Sequence, residues 1–254
     1  MSVLKVGPPH FTPGLIIFDK DGTLIHFDAM WGGWVTELAR RLEEETRFLV
    51  RNRVSESVTD RLFREMGFDP ASGRVLAHGK LAATPMARLR DLTVDMLRGM
   101  GLAPEAAETA IAAAWHIPDP VTLARPFTDL RALFGALRER GLKIAIATTD
   151  DRAPTEATLA GLGAASLVEA VVCADDGVPV KPAPDMVFAL CRATGVAPAQ
   201  CVVVGDSAAD LQMGRAAGAK LVVGVLSGVS SAEVLKPYAD GVIASVAELI
   251  DNMA

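Results

Sequence analysis

The chain has 254 residues, of which 50% are hydrophobic, and its 31 acidic side chains against 25 lysines and arginines give a net charge of −6. No apolar run approaches the roughly 18 residues that a membrane-spanning helix needs, and the negative charge argues against a general nucleic-acid or anionic-membrane partner. The length suits one large domain, or a core with one smaller domain.

The N-terminal segment and the cysteines carry little functional signal. Residues 1–14 contain several glycines and prolines and no long apolar stretch, which predicts no secretory signal and favours a cytoplasmic protein. The cysteines have no metal-type spacing and lie in or beside apolar segments, so we expect buried, reduced thiols. They are Cys173, Cys191 and Cys201.

The first predicted element is a short buried strand, Leu15–Phe18, which is followed by Asp19-Lys20-Asp21-Gly22-Thr23. The strand is entirely apolar with two β-branched residues at its centre, and Gly22 marks a turn. Asp19 and Asp21 therefore follow the carboxyl end of a strand, where open α/β sheets bind ligands. A turn can bring both carboxylates into one pocket, one to attack and one to move protons. The same residues also suit an ordinary turn, because Asp and Gly are favoured there for backbone reasons.

Residues 28–125 have a different character from the rest of the chain. Apolar side chains recur there at helical spacing almost throughout, and glycines and prolines mark the breaks. The pattern predicts four or five helices and no convincing strand.

From Phe127 onward, short apolar strands alternate with helices. The predicted strands are 143–148, 171–173, 201–205 and 221–225, and the predicted helices include 154–162, 184–194 and 208–217. This alternation indicates a parallel sheet covered on both faces, to which the opening strand belongs. Residues 1–27 and 126–254 are therefore predicted to form a doubly wound α/β core, and residues 28–125 an inserted helical domain.

Polar residues follow three of the later strands. The first ends at Thr148-Thr149-Asp150, where a hydroxyl and a backbone N–H can hold phosphate oxygens. Lys181 stands between apolar residues and a proline, and Asp206 follows the next strand, with Asp210 at the start of a helix. Each also has an ordinary explanation: a turn threonine, a solvated loop lysine, and an acidic residue at a helix N-terminus.

The carboxylates of these motifs require a cation if they converge on one site. Two carboxylates about 4 Å apart repel by roughly 4 kcal/mol at an effective dielectric constant of about 20, and a dianionic phosphate would add to this. Mg²⁺ is the ion that pairs one or two carboxylates with substrate phosphate and water. The carboxylates concerned are Asp19, Asp21, Asp206 and Asp210.

Taken in order, the motifs resemble those of the haloacid dehalogenase-like (HAD) superfamily. The matching residues are Asp19-Lys20-Asp21-Gly22-Thr23, Thr148, Lys181-Pro182, and Gly205-Asp206-Ser207 with Asp210. Within that superfamily the chain resembles the phosphoglycolate phosphatase-type hydrolases, whose helical cap is inserted between the first and second motifs. The resemblance covers nearly the whole chain and implies a Rossmann-like core, an α-helical cap and phosphoryl chemistry.

The resemblance also implies catalytic roles. Asp19 would be the nucleophile that forms an aspartyl-phosphate, and Asp21 would protonate the leaving alcohol and later activate water. Thr148 and Thr149 would lie against the phosphoryl group, and Lys181 would hold both Asp19 and the phosphate.

For the metal, the resemblance implies Mg²⁺ bound by the Asp19 carboxylate, the backbone carbonyl of Asp21 and Asp206. Asp210 would orient a water ligand. The chain departs from the family pattern after the first motif, where His26-Phe27 replaces the usual Asp-Ser, and at Thr149, where an Asn is common. Both positions bear on specificity.

We expect a hydrolase for small phosphorylated metabolites, with 2-phosphoglycolate or a similar phospho-acid as the leading substrate, working as a monomer or homodimer. A dehalogenase is disfavoured because that branch lacks the second aspartate, and Asp21 is present. The alternatives are a phosphomutase relative, a phosphonate-cleaving relative with a cap lysine, for which Lys80 is the single candidate, and a non-catalytic phospho-acceptor of the receiver type.

Overall fold

The computed structural model of the chain describes residues 13–50, 56–76, 79–116 and 119–249. Its strands are β1 Leu15–Phe18, β2 Phe68–Asp69, β3 Arg74–Val75, β4 Lys143–Ala147, β5 Ala170–Val172, β6 Cys201–Gly205, β7 Leu221–Val225 and β8 Gly241–Ile243. Its α-helices are α1 Phe27–Val50, α2 Val58–Met66, α3 Lys80–Ala83, α4 Met86–Gly99, α5 Pro104–Ala114, α6 Pro120–Leu123, α7 Leu130–Glu139, α8 Arg152–Gly161, α9 Asp185–Thr194, α10 Ala208–Ala216 and α11 Ala232–Leu235.

Two expectations concern the limits of this description. Apart from Pro13 and Gly14, the segment considered for a secretory signal lies outside the described residues. Within the described ranges, no helix combines the length and apolarity needed to cross a bilayer.

Six of the strands form one parallel sheet in the order β5-β4-β1-β6-β7-β8. Strand β1 is central, and the chain adds β4 and β5 on one side of it before it builds β6, β7 and β8 on the other. The order of strands therefore reverses beside β1, and such a switch point is where open α/β sheets bind ligands. The predicted doubly wound α/β class is confirmed. Strand β8 was not predicted, because three residues give too short a pattern to recognise.

The core is built around β1, whose four side chains are all buried. Leu15 and Ile17 pack on one face of the sheet with Leu190 of α9. On the other face, Phe18 stacks on Phe134 of α7, with ring centroids 5.5 Å apart. Each such side chain contributes about 1.5–3 kcal/mol on burial, so β1 is a rigid base for the residues that follow it.

The chain divides into two compact units. The core unit comprises Met1–Phe27 and Pro120–Ala254, and the helical unit comprises Asp28–Asp119. The second boundary falls earlier than residue 125, because the short helix α6 packs against α8 within the core unit. The division into a core and a cap ending at residue 125 remains a prediction.

The helical unit contains five α-helices among its described residues, and it also contains a hairpin. Phe68 pairs with Val75 and Asp69 with Arg74 in the antiparallel strands β2 and β3. The Asp69 carboxylate accepts hydrogen bonds from the backbone N–H of Ala71 and the Ser72 hydroxyl, which stabilises the turn. The prediction of no strand in this region is therefore wrong, because two-residue strands leave no alternation to detect.

The cysteine prediction is confirmed. All three thiols are free and buried in the core unit. Cys191 and Cys201 lie with their sulfur atoms 3.5 Å apart, and burial raises the pKa of both thiols, so they behave as small apolar residues.

Candidate active site

The predicted site residues gather where β1, β4 and β6 end side by side. Phe18, the last residue of β1, is in register with Ile146 of β4 and Val204 of β6. The backbone N–H of Asp19 donates to the carbonyl of Val204 at 2.9 Å, so the ladder continues one residue beyond the strand. Motifs far apart in the chain are thereby brought to one edge of the sheet.

Lys181 lies between two carboxylates at this edge. Its Nζ is 2.6 Å from Oδ1 of Asp19 and 2.5 Å from Oδ1 of Asp210. The Lys181 side chain is only 4% exposed. Burial lowers the pKa of Lys181, but the two carboxylates outweigh this effect and raise the pKa above its ordinary value. The ammonium therefore stays charged, and the interpretation of Lys181 as a solvated loop lysine is excluded.

Asp210 is held by the start of its own helix. Its Oδ2 accepts hydrogen bonds from the backbone N–H and the hydroxyl of Ser207, at 3.0 and 2.6 Å. The Ser207 hydroxyl in turn accepts from the backbone N–H of Asp210, which completes a capping box on α10. Asp210 is thus both a helix cap and a partner of Lys181.

Asp206 is fixed by contacts from two other loops. The Thr23 hydroxyl donates to its Oδ1 at 3.2 Å, and the backbone N–H of Val229 donates to its Oδ2 at 2.8 Å. Two glycines make this close approach possible, because a Cβ would lie 2.6 Å from Asp206 Oδ2 at Gly22 and 2.0 Å from it at Gly228. Gly22 also has a φ of 89°, which disfavours any other residue. The loop that contains Gly228 and Val229 carried no sequence signal and was not predicted.

The carboxylates at this edge carry more negative charge than Lys181 balances. Burial is the main cause that raises the pKa of Asp19 to about 6, against the opposing effect of Lys181. Burial and the neighbouring Asp19 and Asp210 raise the pKa of Asp206 well above its ordinary value. A site that keeps these groups ionised at neutral pH therefore needs a further cation.

The donor set fits Mg²⁺. Carboxylate oxygens of Asp19, Asp206 and Asp210 lie within 4.8 Å of one another. Oδ2 of Asp19 is buried and has no hydrogen-bond partner among the described residues, so it is an oxygen in need of a cation. Carboxylate and carbonyl oxygens are the ligands that Mg²⁺ prefers, and no thiol or imidazole belongs to this group.

The side chain of Asp21 does not join this carboxylate group. Its Oδ2 is 2.8 Å from Nζ of Lys20, which is also 2.8 Å from Oδ2 of Asp150. Sequence reasoning missed Lys20 and Asp150 because nothing local indicates that a lysine between two aspartates is buried. Burial lowers the pKa of Lys20, but Asp21 and Asp150 outweigh it and raise the pKa above its ordinary value.

Thr148 and Thr149 lie in the turn after β4. Thr148 is 1% exposed, and its hydroxyl oxygen accepts from the backbone N–H of Asp150 at 3.1 Å. The Thr148 hydroxyl is the acceptor in this bond, so its own proton can be donated to another group. Thr149 is half-buried in the same turn.

Comparisons with known proteins agree with this geometry. The chain matches the family model of the haloacid dehalogenase-like hydrolases over residues 13–218. It is 31% identical over 217 residues to a phosphoglycolate phosphatase of Rhodospirillum rubrum, a match that covers 83% of this chain and 79% of that protein. It is 34% identical over 131 residues to the plasmid phosphoglycolate phosphatase of Cupriavidus necator, covering 50% of this chain and 57% of that protein. The crystal structure of a predicted phosphoglycolate phosphatase from Haemophilus somnus 129PT has a TM-score of 0.62 at 19% identity and covers 93% of this chain and 96% of that one, a likeness of fold.

Proposed function

The chain belongs to the haloacid dehalogenase-like hydrolases, and from that premise we propose that it is a Mg²⁺-dependent phosphatase that hydrolyses small-molecule phosphate monoesters through an aspartyl-phosphate. The observation that carries this proposal is the environment of Asp19. One of its oxygens is held by Lys181, and the other is buried without a hydrogen-bond partner beside two further carboxylates. Such a carboxylate is oriented, desolvated and next to a place for a metal ion, which is what an aspartate nucleophile requires.

In the first proposed step, Asp19 attacks phosphorus and the bond from phosphorus to the leaving oxygen breaks. Asp21 gives its proton to that oxygen, so the product leaves as an alcohol. In the second step Asp21 takes a proton from water, whose oxygen attacks phosphorus and breaks the bond to Asp19. Inorganic phosphate is released, and both carboxylates return to their starting state.

Three further groups would support these steps. Lys181 balances the charge of Asp19 and of the phosphoryl group, and the Thr148 hydroxyl and the turn at Thr149 offer hydrogen bonds to phosphoryl oxygens. Asp19, Asp206 and the Asp21 carbonyl would hold Mg²⁺, with Asp210 orienting a water ligand. When bound, the ion neutralises part of the phosphate charge and helps to orient the phosphoryl group.

We propose that the substrate is a small phosphorylated metabolite, with 2-phosphoglycolate or a similar phospho-acid as the leading candidate. Relatives named phosphoglycolate phosphatase support this class. The motif residues account for the phosphoryl group and the metal only, so recognition of the rest of the substrate is assigned to residues 28–125. Phosphoproteins and nucleic-acid ends are expected to be poor substrates.

The phosphonate-cleaving alternative finds no support in Lys80. That reaction needs a desolvated lysine that forms a Schiff base. The Lys80 side chain is 43% exposed and forms an ion pair with Glu65. Lys80 is therefore better explained as a surface lysine of the helical unit.

The test is hydrolysis of p-nitrophenyl phosphate in Mg²⁺, followed by a panel of phosphorylated metabolites. Many turnovers per protein molecule are expected, with one or more small phospho-acids among the preferred substrates. A single stoichiometric phosphorylation would instead indicate a phospho-acceptor, and transfer of phosphate between positions on a sugar would indicate a mutase. Either result would contradict the proposed function.

A further inference from the structure

Two buried lysines divide the acidic residues of the core unit into two groups. Lys181 contacts Asp19 and Asp210, which belong to the carboxylate group described above. Lys20 contacts Asp21 and Asp150 and takes no part in that group. The nucleophile and the group that moves protons thus have separate cationic partners, although they are separated by a single residue.

Lys20 is an unusual residue to bury. It is 1% exposed, and a buried ammonium costs several kcal/mol unless charged partners surround it. If Lys20 only stabilised the fold, an apolar residue could take its place, since the nearby residues of β1 are all apolar. The burial of Lys20 is therefore best explained by its ion pairs with Asp21 and Asp150.

Both ends of Lys20 are fixed. Its backbone carbonyl accepts hydrogen bonds from the backbone N–H groups of Leu24 and Ile25, at 2.8 and 3.1 Å. Its Nζ is tied to Asp150, which is 6% exposed. The ammonium is consequently a fixed point and not the end of a mobile chain.

Asp150 is also anchored on its far side. Its Oδ1 accepts from the backbone N–H of Asp151 at 2.9 Å, and its backbone carbonyl accepts from the N–H of Ala174 at 3.0 Å. Its own N–H donates to the Thr148 hydroxyl. Asp150 thus links two parts of the site. Its backbone contacts the turn that contains Thr148, and its carboxylate contacts the Lys20 ammonium, which also contacts Asp21.

We propose that Lys20, held in place by Asp150, is a positioning residue that orients the Asp21 carboxylate for proton transfer to the leaving group. The ammonium fixes one oxygen of Asp21 and so sets the direction of the other. Lys20 keeps its proton throughout, and the proton that moves is the one exchanged between Asp21 and the leaving oxygen or water. This inference rests on the proposed function, in which Asp21 is the acid and base.

The experiment compares kcat/KM for two kinds of phosphate monoester. With p-nitrophenyl phosphate the leaving group departs as a stable anion and needs little protonation, whereas an alkyl phosphate needs a proton from Asp21. Lys20→Met is expected to lower kcat/KM roughly 100-fold on the alkyl phosphate and less than about tenfold on p-nitrophenyl phosphate, because general acid catalysis contributes about 10²–10⁴-fold. Asp21→Asn should show the same asymmetry, and Lys220→Met, at an exposed lysine of the core unit, should show none.

A second variant covers a failure to fold. Lys20→Met leaves Asp150 buried without its partner, so the double variant Lys20→Met with Asp150→Asn removes both charges. Circular dichroism and thermal unfolding identify which variant is folded, and kcat/KM on the two substrates is measured for that variant. Unfolding of both would also overturn the inference, since it would show that the pair serves the fold.

The results separate this inference from the proposed function. An equal loss of kcat/KM on both substrates, or no loss, overturns the positioning role while wild-type turnover leaves the phosphatase assignment intact. A wild-type protein with no Mg²⁺-dependent turnover on either substrate overturns both. A larger loss on the alkyl phosphate, with normal folding, supports the inference.

Discussion

The core unit buries a group of charged residues at the edge of its sheet, whereas the ion pairs of the helical unit are at least partly exposed. Among the described residues, the buried acidic and basic residues all lie in the core unit: Asp19, Lys20, Asp150, Asp206 and Asp210, together with Lys181, whose side chain is 4% exposed. In the helical unit the ion pairs of the described residues are at least partly exposed, and several of them join residues of the same helix. Arg40 and Glu44, for example, are 54% and 65% exposed although they are 2.6 Å apart.

The difference shows what each set of charges does. An exposed pair contributes about 0.2–1 kcal/mol, and pairs spaced three or four residues apart support their own helix. A buried ion costs several kcal/mol to desolvate, and only interactions with close partners offset this cost. The exposed pairs of the helical unit support its helices, whereas the buried charges of the core unit maintain a charged site at the sheet edge at a cost in stability.

The largest effect is expected for Asp19→Asn, which removes the proposed nucleophile and a proposed metal ligand but keeps the shape of the side chain. Turnover of p-nitrophenyl phosphate should fall below roughly 1% of wild type, in line with the losses seen when other nucleophiles are removed. Thermal unfolding should show an intact fold. Asp91→Asn, at an exposed acid of the helical unit, is the matched control and should keep wild-type turnover. Activity of Asp19→Asn well above that level would remove Asp19 from its assigned role.

Removal of the metal should affect turnover and thermal stability through the carboxylate group of the core unit. EDTA should abolish turnover and added Mg²⁺ should restore it, while Ca²⁺ should restore little because its larger and looser coordination shell would misplace Asp19. Mg²⁺ should also raise the thermal unfolding temperature, since it relieves the repulsion among Asp19, Asp206 and Asp210. Full activity after dialysis against EDTA would count against the metal site.

The pH dependence of stability should also be traceable to the buried carboxylates. In the folded, metal-free protein the pKa of Asp19 is raised to about 6, from 3.8 in the unfolded chain. The folded state therefore binds a proton that the unfolded chain does not bind between these values. The resulting contribution to stability is full below pH 4 and is lost as the pH rises through about 6.

The test is urea unfolding of wild type and Asp19→Asn in EDTA at pH 5 and pH 8. On going from pH 8 to pH 5, the wild type should gain about 1.4 kcal/mol of unfolding free energy relative to Asp19→Asn, because pH 5 lies about one unit below the folded pKa and one pKa unit is worth 1.36 kcal/mol. Parallel pH profiles for the two proteins would show that Asp19 does not titrate in this range.

A smaller effect is expected for Lys80→Ala in the helical unit. Because Lys80 is exposed and paired with Glu65, its loss should change kcat/KM for phosphate monoesters less than tenfold. Trapping of a phosphonoacetaldehyde adduct at Lys80 with borohydride would reverse this assignment and would make the lysine part of the chemistry.

The smallest effect is expected for Arg40→Ala. The exposed pairs of Arg40 with Glu37 and Glu44 should contribute little to the free energy of unfolding, and turnover should not change. Denaturant unfolding measures the first quantity. A loss of several kcal/mol of unfolding free energy would show that surface charges stabilise the helical unit more strongly than we infer.

Local patterns in the sequence were enough for most of the sheet. Strands β1, β6 and β7 occupy the predicted residues because continuous apolar runs bounded by turn residues are typical of buried parallel strands. Strand β8 and the hairpin of β2 and β3 escaped prediction, since two or three residues leave no periodicity to read. The compact helical unit ends at Asp119 because α6 packs on α8, and the sequence of α6 does not predict this contact.

The sequence by itself determined which side chains follow the ends of the buried strands, since each motif stands directly after its apolar run. That was sufficient to name Asp19, Asp21 and Asp206 as candidates, whereas Lys181 lies in the loop between β5 and α9 and was linked to them by the family resemblance. Only the tertiary structure decided which of them share a partner. Lys20 and Asp150 are 130 residues apart, and they meet because β1 and β4 are neighbours in a sheet whose strand order departs from chain order. No local pattern reports such a contact, because it depends on which strands lie side by side and not on what precedes or follows either residue.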